Sequence, residues 1–336
     1  MYIVENYGLA VALCWVTMFC WGSWGNTQKL AAKTWRYELF YWDYVIGILL
    51  FSLVWGLTLG SFGENGRGFV EDLLQASPNY LWSALLGGVI FNASNILLSS
   101  SVSLAGMSVA FPVGVGLALV LGVFVNYFST PKGDPVVLFL GVFLIVLAII
   151  FNGFASSKVA KASSDQGVRK KGIVIAICAG ILMSFFYRFV AASMDLDNLE
   201  APTSGMLTPY SALFVFAIGI FISNFLFNTL VMKKPFVGEP ISFSQYFKGN
   251  TKTHLIGLLG GGIWALGTAC SYIAAAKAGP AISYALGQGA TMVAALWGLF
   301  VWKEFKGAPK SINLLLTVML ILFISGLVLI ILSGGN

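Results

Sequence analysis

Apolar residues run along this chain in ten stretches, separated by short segments rich in charge, proline or glycine. Each stretch has the roughly 20 residues that an α-helix needs to cross a hydrocarbon core. The pattern predicts helices near 8–30, 38–59, 81–104, 107–128, 135–155, 172–193, 205–231, 255–277, 280–302 and 312–333. The hinges at Ala105-Gly106, 129–134, Ala278-Gly279 and 303–311 are short enough to force the helices they join into antiparallel hairpins. Unbroken apolar runs such as 136–151 exclude a transmembrane β-barrel, whose strands alternate apolar and polar positions. The first run lacks a basic leader and a small-residue cleavage site, so it reads as a spanning helix.

Composition removes the soluble alternative. Of 336 residues 58% are hydrophobic and 10% charged, against about 25% charged in a soluble domain. The loops after spans 1, 5, 7 and 9 hold 15 basic residues: Lys29, Lys33, Arg36, Lys158, Lys161, Arg169, Lys170, Lys171, Lys233, Lys234, Lys248, Lys252, Lys303, Lys306 and Lys310. The opposite side holds Arg67, Lys132 and Lys277. The positive-inside rule then puts those four loops in the cytoplasm and both termini outside. This distribution accounts for the net charge of +6 without a nucleic-acid partner. Cys14, Cys20, Cys178 and Cys270 all fall in apolar spans and read as small buried hydrophobes, with no disulfide framework or zinc spacing.

The sequence also resembles itself. At an offset of 173, Ala105-Gly106 meets Ala278-Gly279, and the Gly114-x-Gly116 pair meets Gly287-x-Gly289. At an offset of 164, Gly8, Ala12 and Cys14 fall on Gly172, Ala176 and Cys178. Five spans per half is an odd number, so the second half enters the membrane inverted, as in alternating-access carriers with a site near the midplane. The expected fold is therefore an all-α membrane protein of ten transmembrane helices in two inverted five-helix repeats. Their expected bounds are 1–155 and 172–336, joined by a cytoplasmic linker at 156–171.

Polar side chains within the spans face either the bundle or a cavity. Asn92, Asn95 and Ser99 form one stripe of span 3. The repeat carries the last two onto Thr268 and Tyr272 of span 8, where Trp264 extends the same face. Span 9 adds Tyr284, Gln288 and Thr291. These residues offer either a substrate cavity or interhelical hydrogen bonds. In span 1, small residues flank Trp21 and Trp24, and Trp21 lies about 20 Å along the helix from Gly8, too deep for an interfacial belt. Pro112 is expected to kink span 4. Asp43 and Arg188 are the ionisable residues well inside spans, at different depths, and are the candidates for ion coupling. Arg188 alternatively snorkels toward Asp195 or Asp197, and Asp43 alternatively caps a helix N-terminus. His254, Asp195, Asp197 and Glu200 read as ordinary loop residues.

Several short motifs occur in a recognisable order. They are Met1-Tyr2-x-Val4-Glu5, Gly22-Ser23-Trp24, Tyr41-x-Asp43-Tyr44, Gly87-Gly88 followed by Asn95, Gly106-x-Ser108-Val109, Asn126-Tyr127-Phe128, and Trp297-Gly298 followed by Glu304. Together they resemble the ureide permease family of the drug/metabolite transporter superfamily, in a short bacterial-type form. The resemblance implies a ten-helix uptake carrier in the bacterial inner membrane for ureides such as allantoin, or nucleobases such as uracil, driven by protons. Planar neutral heterocycles call for aromatic stacking and amide or hydroxyl partners, which the polar faces above supply. Plant members resembling this chain have a long central loop with a nucleotide-binding-like motif. The segment 156–171 is short and has no G-x-x-x-x-G-K-[S/T], so ATP is not implied.

The competing reading is a related carrier for another small solute such as a sugar. An intramembrane enzyme would need a nucleophile with a base, or a metal cluster, and no span contains such a grouping. The expected partners are a small-molecule solute, protons and the lipid bilayer. No cofactor or metal is implied, and a homodimer stays open.

Overall fold

The computed structural model describes residues 1–32, 35–159, 166–303 and 310–335. Lys33, Lys161, Glu304, Lys306 and the middle of the expected linker, 160–165, lie outside the described residues, as do the side chains of Ser108, Lys158 and Lys310. Among the described residues ten helices are long and apolar enough to cross a membrane. They are α1 (Tyr7–Ala31), α2 (Tyr37–Leu57), α3 (Pro78–Ala105), α4 (Met107–Ser129), α5 (Pro135–Val159), α6 (Gln166–Ala191), α7 (Pro209–Lys233), α8 (Thr251–Ala278), α9 (Pro280–Val301) and α10 (Lys310–Ser333).

Local chemistry sets the ends. Pro78, Pro209 and Pro280 stand in the first turn of α3, α7 and α9, where a missing N–H costs nothing. The Asn6 side chain accepts from Leu9 N at 2.9 Å to start α1. Gly106 and Gly279 turn α3 into α4 and α8 into α9 with φ +81° at both, a conformation that glycine adopts without strain.

Three expectations need correction. Asn250 caps α8 by accepting from Thr253 N at 2.9 Å, so the helix begins at Thr251, ahead of the apolar run, and His254 lies in its first turn rather than in a loop. The ninth span is not one continuous α-helix. It runs Pro280–Gln288 and Ala290–Leu296, then closes with a π-helical turn, Trp297–Val301. The break falls where α1 crosses closely, since a Cβ on Gly287 would press on the Trp21 ring and one on Gly289 on the Met18 sulfur. Finally, Cys178 is exposed, while Cys14 and Cys270 are buried; all four thiols are free. Two short helices, Phe69–Gln75 and Phe243–Tyr246, add to the connections.

Packing repeats itself across the bundle. α3 lies on α6 and α7, α8 lies on α1 and α2, α4 meets α6, and α9 meets α1. Gly88 sits against the Phe216 carbonyl while Gly261 sits against that of Tyr44, and Gly219 faces the Leu85 carbonyl while Gly47 faces that of Leu258. At the periphery α5 and α10 pack together through Gly141 and Gly326, each against the other's carbonyl oxygen. A methyl group at Gly261 would overlap the Tyr44 carbonyl, backbone that cannot swing away. Gly261→Ala is therefore expected to cost about 1–3 kcal/mol, read as a lowered unfolding temperature in detergent.

The two ends of the bundle differ. At the end carrying both termini, buried Asp72 accepts from Arg67 Nη1 at 2.9 Å, from Thr208 N at 2.8 Å and from Gln75 Nε2 at 3.3 Å. Arg67 also donates to the carbonyls of Pro202 and Met206. These bonds tie the α2–α3 connection to the α6–α7 connection. At the basic end Arg36 pairs with Glu38 and donates to the Glu239 carbonyl at 2.7 Å.

Candidate functional site

Six helices, α1, α3, α4, α6, α8 and α9, line a narrow central cavity. Its walls are Trp21, Trp24, Phe91, Asn95, Leu98, Phe111, Val115, Met183, Phe186, Trp264, Gln288 and Ala290. None of these side chains ionises, and six are aromatic. Five of them, Trp21, Trp24, Asn95, Trp264 and Gln288, are among the residues expected from sequence to meet substrate. The Phe, Leu, Val and Met walls are not, because apolar residues in a span carry no local sign of facing a cavity rather than lipid.

The indoles are held rigidly. Trp21 and Trp264 lie with ring planes 7° apart and centroids at 6.1 Å. The Trp21 N–H donates to Thr268 Oγ1 at 3.0 Å, and the Thr268 hydroxyl in turn donates to the Trp264 carbonyl. Phe91 approaches Trp264 with centroids at 4.2 Å, and Trp24 packs on Tyr44 at 4.9 Å. Thr268 thus orients one indole by hydrogen bonding and is not itself a wall. Gly267 makes the α1–α8 approach possible, because a Cβ there would strike Cys20 and Trp21.

Two carboxamides supply the polarity. Asn95 donates one N–H to Tyr41 OH at 3.2 Å; Tyr41 donates to Asn92 Oδ1 at 3.0 Å, and Asn92 donates to Ser223 Oγ at 2.9 Å. This chain crosses α3, α2 and α7 and fixes the Asn95 amide from behind. Asn92 is therefore placed away from the wall, as a support. Gln288 approaches from α9, where the helix breaks. Each carboxamide offers both a donor and an acceptor.

The other expected contacts lie elsewhere. Ser99 is buried one turn beyond Asn95, and its carbonyl accepts from Gln28 Nε2 at 3.2 Å. Tyr272 is buried edge-on against Tyr187, with ring centroids at 5.3 Å. The Tyr284 hydroxyl reaches the carbonyls of Ala118 at 3.2 Å and Met183 at 3.4 Å, linking α9 to α4 and α6. Pro112 lies inside α4 between the wall residues Phe111 and Val115.

Charge sits apart from the cavity. Asp43 is buried in the second turn of α2. Its neighbours Tyr41 and Tyr44 do not bond it. Instead Tyr246 OH donates to Oδ1 at 2.6 Å, and His254 Nδ1 lies 3.0 and 2.9 Å from Oδ1 and Oδ2. Burial, then the adjacent carboxylate, push the Tyr246 phenol well above its usual pKa, so it remains a donor. Arg188 is exposed and pairs with neither Asp195 nor Asp197; the Asp195 carboxylate accepts from Thr203 N and Oγ1 at 2.9 and 2.7 Å. Arg188 lines a separate cavity at the terminal end with Asn126, Ser129 and Pro280. No group of three or more His, Cys, Asp or Glu with metal-holding geometry occurs among the described residues.

Known proteins resemble the whole chain. It is 23% identical over 389 residues to "Ureide permease 1" of Arabidopsis thaliana, covering all of both sequences. It is 27% identical over 287 residues to "Probable glucose uptake protein GlcU" of Priestia megaterium, covering 83% of this chain and 89% of the relative. A solved chain described as "Crystal structure of protein" superposes with a TM-score of 0.58 at 15% identity, covering 95% of this chain and 97% of its own, a likeness of fold. The sequence model "Ureide permease" matches residues 40–170 and 166–333. The chain belongs to the ureide permease family, as a multi-pass membrane transporter of a small molecule and not an enzyme.

Proposed function

We propose that the protein takes up small, planar, neutral nitrogen heterocycles, ureides such as allantoin or nucleobases such as uracil, through the central cavity. The observation that carries this reading is a non-ionisable cavity with aromatic walls and two carboxamides, Asn95 and Gln288. A flat ring stacks on an indole face, while lactam N–H and C=O groups at its edge find an acceptor and a donor. A charged solute would lose its hydration there without a counter-charge. The named ureide permease relatives support the same class. If the cavity is the site, allantoin or uracil at 100 times its Kd should stabilise the purified protein by about 2.7 kcal/mol. Thermal unfolding in detergent measures this, and unchanged unfolding at saturating concentrations of both would refute the reading.

Transport by alternating access rests on two inverted repeats, 1–155 and 172–336. The matched hinges Gly106 and Gly279 and the reciprocal glycine contacts support that division. The basic end faces the cytoplasm and both termini face outward in a cell membrane. Protons drive accumulation, with Asp43 as the coupling carboxylate. Under this reading Asp43→Asn still exchanges labelled substrate across proteoliposomes but loses the accumulation driven by a pH gradient. Unchanged accumulation would make Asp43 structural. The second reading is sugar uptake, favoured by the glucose uptake relative and by the affinity of aromatic and amide groups for sugars.

A further inference from the structure

Coupling through Asp43 raises a problem of access. Asp43 is 2% exposed, and its carboxylate lies between α8 and the short helix Phe243–Tyr246, so it has little direct contact with water. His254, the single histidine of the chain, fills that gap. Its side chain is 25% exposed at the basic end, while Nδ1 lies 2.9 and 3.0 Å from the two carboxylate oxygens. A ring nitrogen shared between two carboxylate oxygens serves as the N–H donor, which leaves Nε2 as the basic atom of the neutral ring. Nε2 points toward Gly249, where a Cβ would lie 2.7 Å from it.

The surroundings isolate this pair. Tyr246 donates to Oδ1, and Trp35 packs edge-on against the imidazole at 4.6 Å. On α2, Glu38 is engaged by Arg36. Lys233 and Lys234 at the end of α7, Lys248 of the α7–α8 connection and Lys252 of α8 are all exposed and form no ion pair with Asp43. Asp43 is the only carboxylate that His254 contacts among the described residues.

We infer that His254 is the port through which the coupling proton passes between solvent at the basic end and Asp43. The inference rests on the proton-coupled reading above. A proton from water binds Nε2, and the Nδ1 proton moves to an Asp43 oxygen. The pair thereby gains one proton and goes from one negative charge to neutral; release retraces both steps. Protonation weakens the carboxylate as an acceptor for Tyr246 and reverses the His254 bond, the Asp43 O–H now donating to Nδ1, and so loosens α2 from the short helix of the connection. α2 also carries Tyr41, which holds Asn95, and Tyr44, which packs on Trp24. Proton uptake is transmitted to the cavity wall by that one helix.

The test uses wild type, His254→Gln and Asp43→Asn in proteoliposomes with labelled uracil and allantoin. Glutamine keeps a neutral hydrogen-bonding group but does not titrate. His254→Gln is expected to exchange substrate at equal pH and to lose at least about tenfold in pH-driven accumulation, with a flat pH profile. In ¹⁵N-histidine-labelled wild type, the one imidazole signal should change over the same pH range as transport. This second reading does not depend on whether a variant folds. Accumulation by His254→Gln with the wild-type pH profile, or an imidazole that keeps its Nδ1–H tautomer throughout the pH range in which transport changes, would overturn the port. A wild type that transports but ignores the pH gradient overturns proton coupling itself, and the port with it.

Discussion

Replacing Trp264 with alanine is expected to lower heterocycle uptake by about 5- to 150-fold, because stacking of a planar ring on an aromatic face is worth about 1–3 kcal/mol. Trp264 is the indole on which the cavity is organised: it lies parallel to Trp21 and contacts Phe91 and Phe216. Since the truncation also removes packing, Trp264→Phe serves as the control that keeps an aromatic face. Asn95→Ala removes a carboxamide that Tyr41 holds in place and should raise KM by about 5- to 150-fold, the equivalent of one unmade hydrogen bond in a dry site. Tyr272→Phe should transport within about twofold of wild type, because the Tyr272 hydroxyl is buried outside the cavity wall and bonds nothing among the described residues. Initial-rate uptake measures all four, and a Trp264→Ala variant that folds and transports normally would remove the cavity from the account.

The second large effect is on stability. Asp72→Ala is expected to destabilise the protein by about 3–5 kcal/mol, the range for removing one partner of a buried ion pair. Asp72 is fully buried and accepts from Arg67, Gln75 and the Thr208 backbone N–H. Its loss removes the counter-charge of Arg67 and leaves the Thr208 backbone N–H without its acceptor beneath the terminal-end connections. Asp72→Asn keeps the shape and accepts some of the bonds, so it should fall between wild type and alanine. Unfolding temperatures in detergent give the order directly, and an alanine variant as stable as wild type would mean that the carbonyls of Pro202 and Met206 satisfy Arg67 unaided.

How far the sequence reveals this arrangement depends on the range of each signal. Spans are legible because hydrocarbon imposes about 20 apolar residues on any helix that crosses it, and the Gly106 and Gly279 hinges are legible because positive φ selects glycine. Trp21, Trp24 and Trp264 are conspicuous as large amphipathic rings at depth. The pairing of Asp43 with His254 is not legible, since it joins positions 211 residues apart and His254 precedes the apolar run that marks its helix. The same blindness sorts Asn92 and Asn95 together: they share a helical stripe, yet one reaches the cavity and the other turns to α7 through Ser223. The break in α9 escapes notice because no proline marks it and it coincides with a tertiary contact, the close approach of α1.

The central claim is that a neutral heterocycle crosses the membrane through the aromatic and carboxamide cavity. Its most direct test is saturable uptake by proteoliposomes of labelled allantoin, uracil, glucose and a cationic amine, with wild type and Trp264→Ala side by side. The account predicts saturable uptake of allantoin or uracil that the variant loses, and no uptake of the cation. Saturable glucose uptake with no transport of either heterocycle would contradict it.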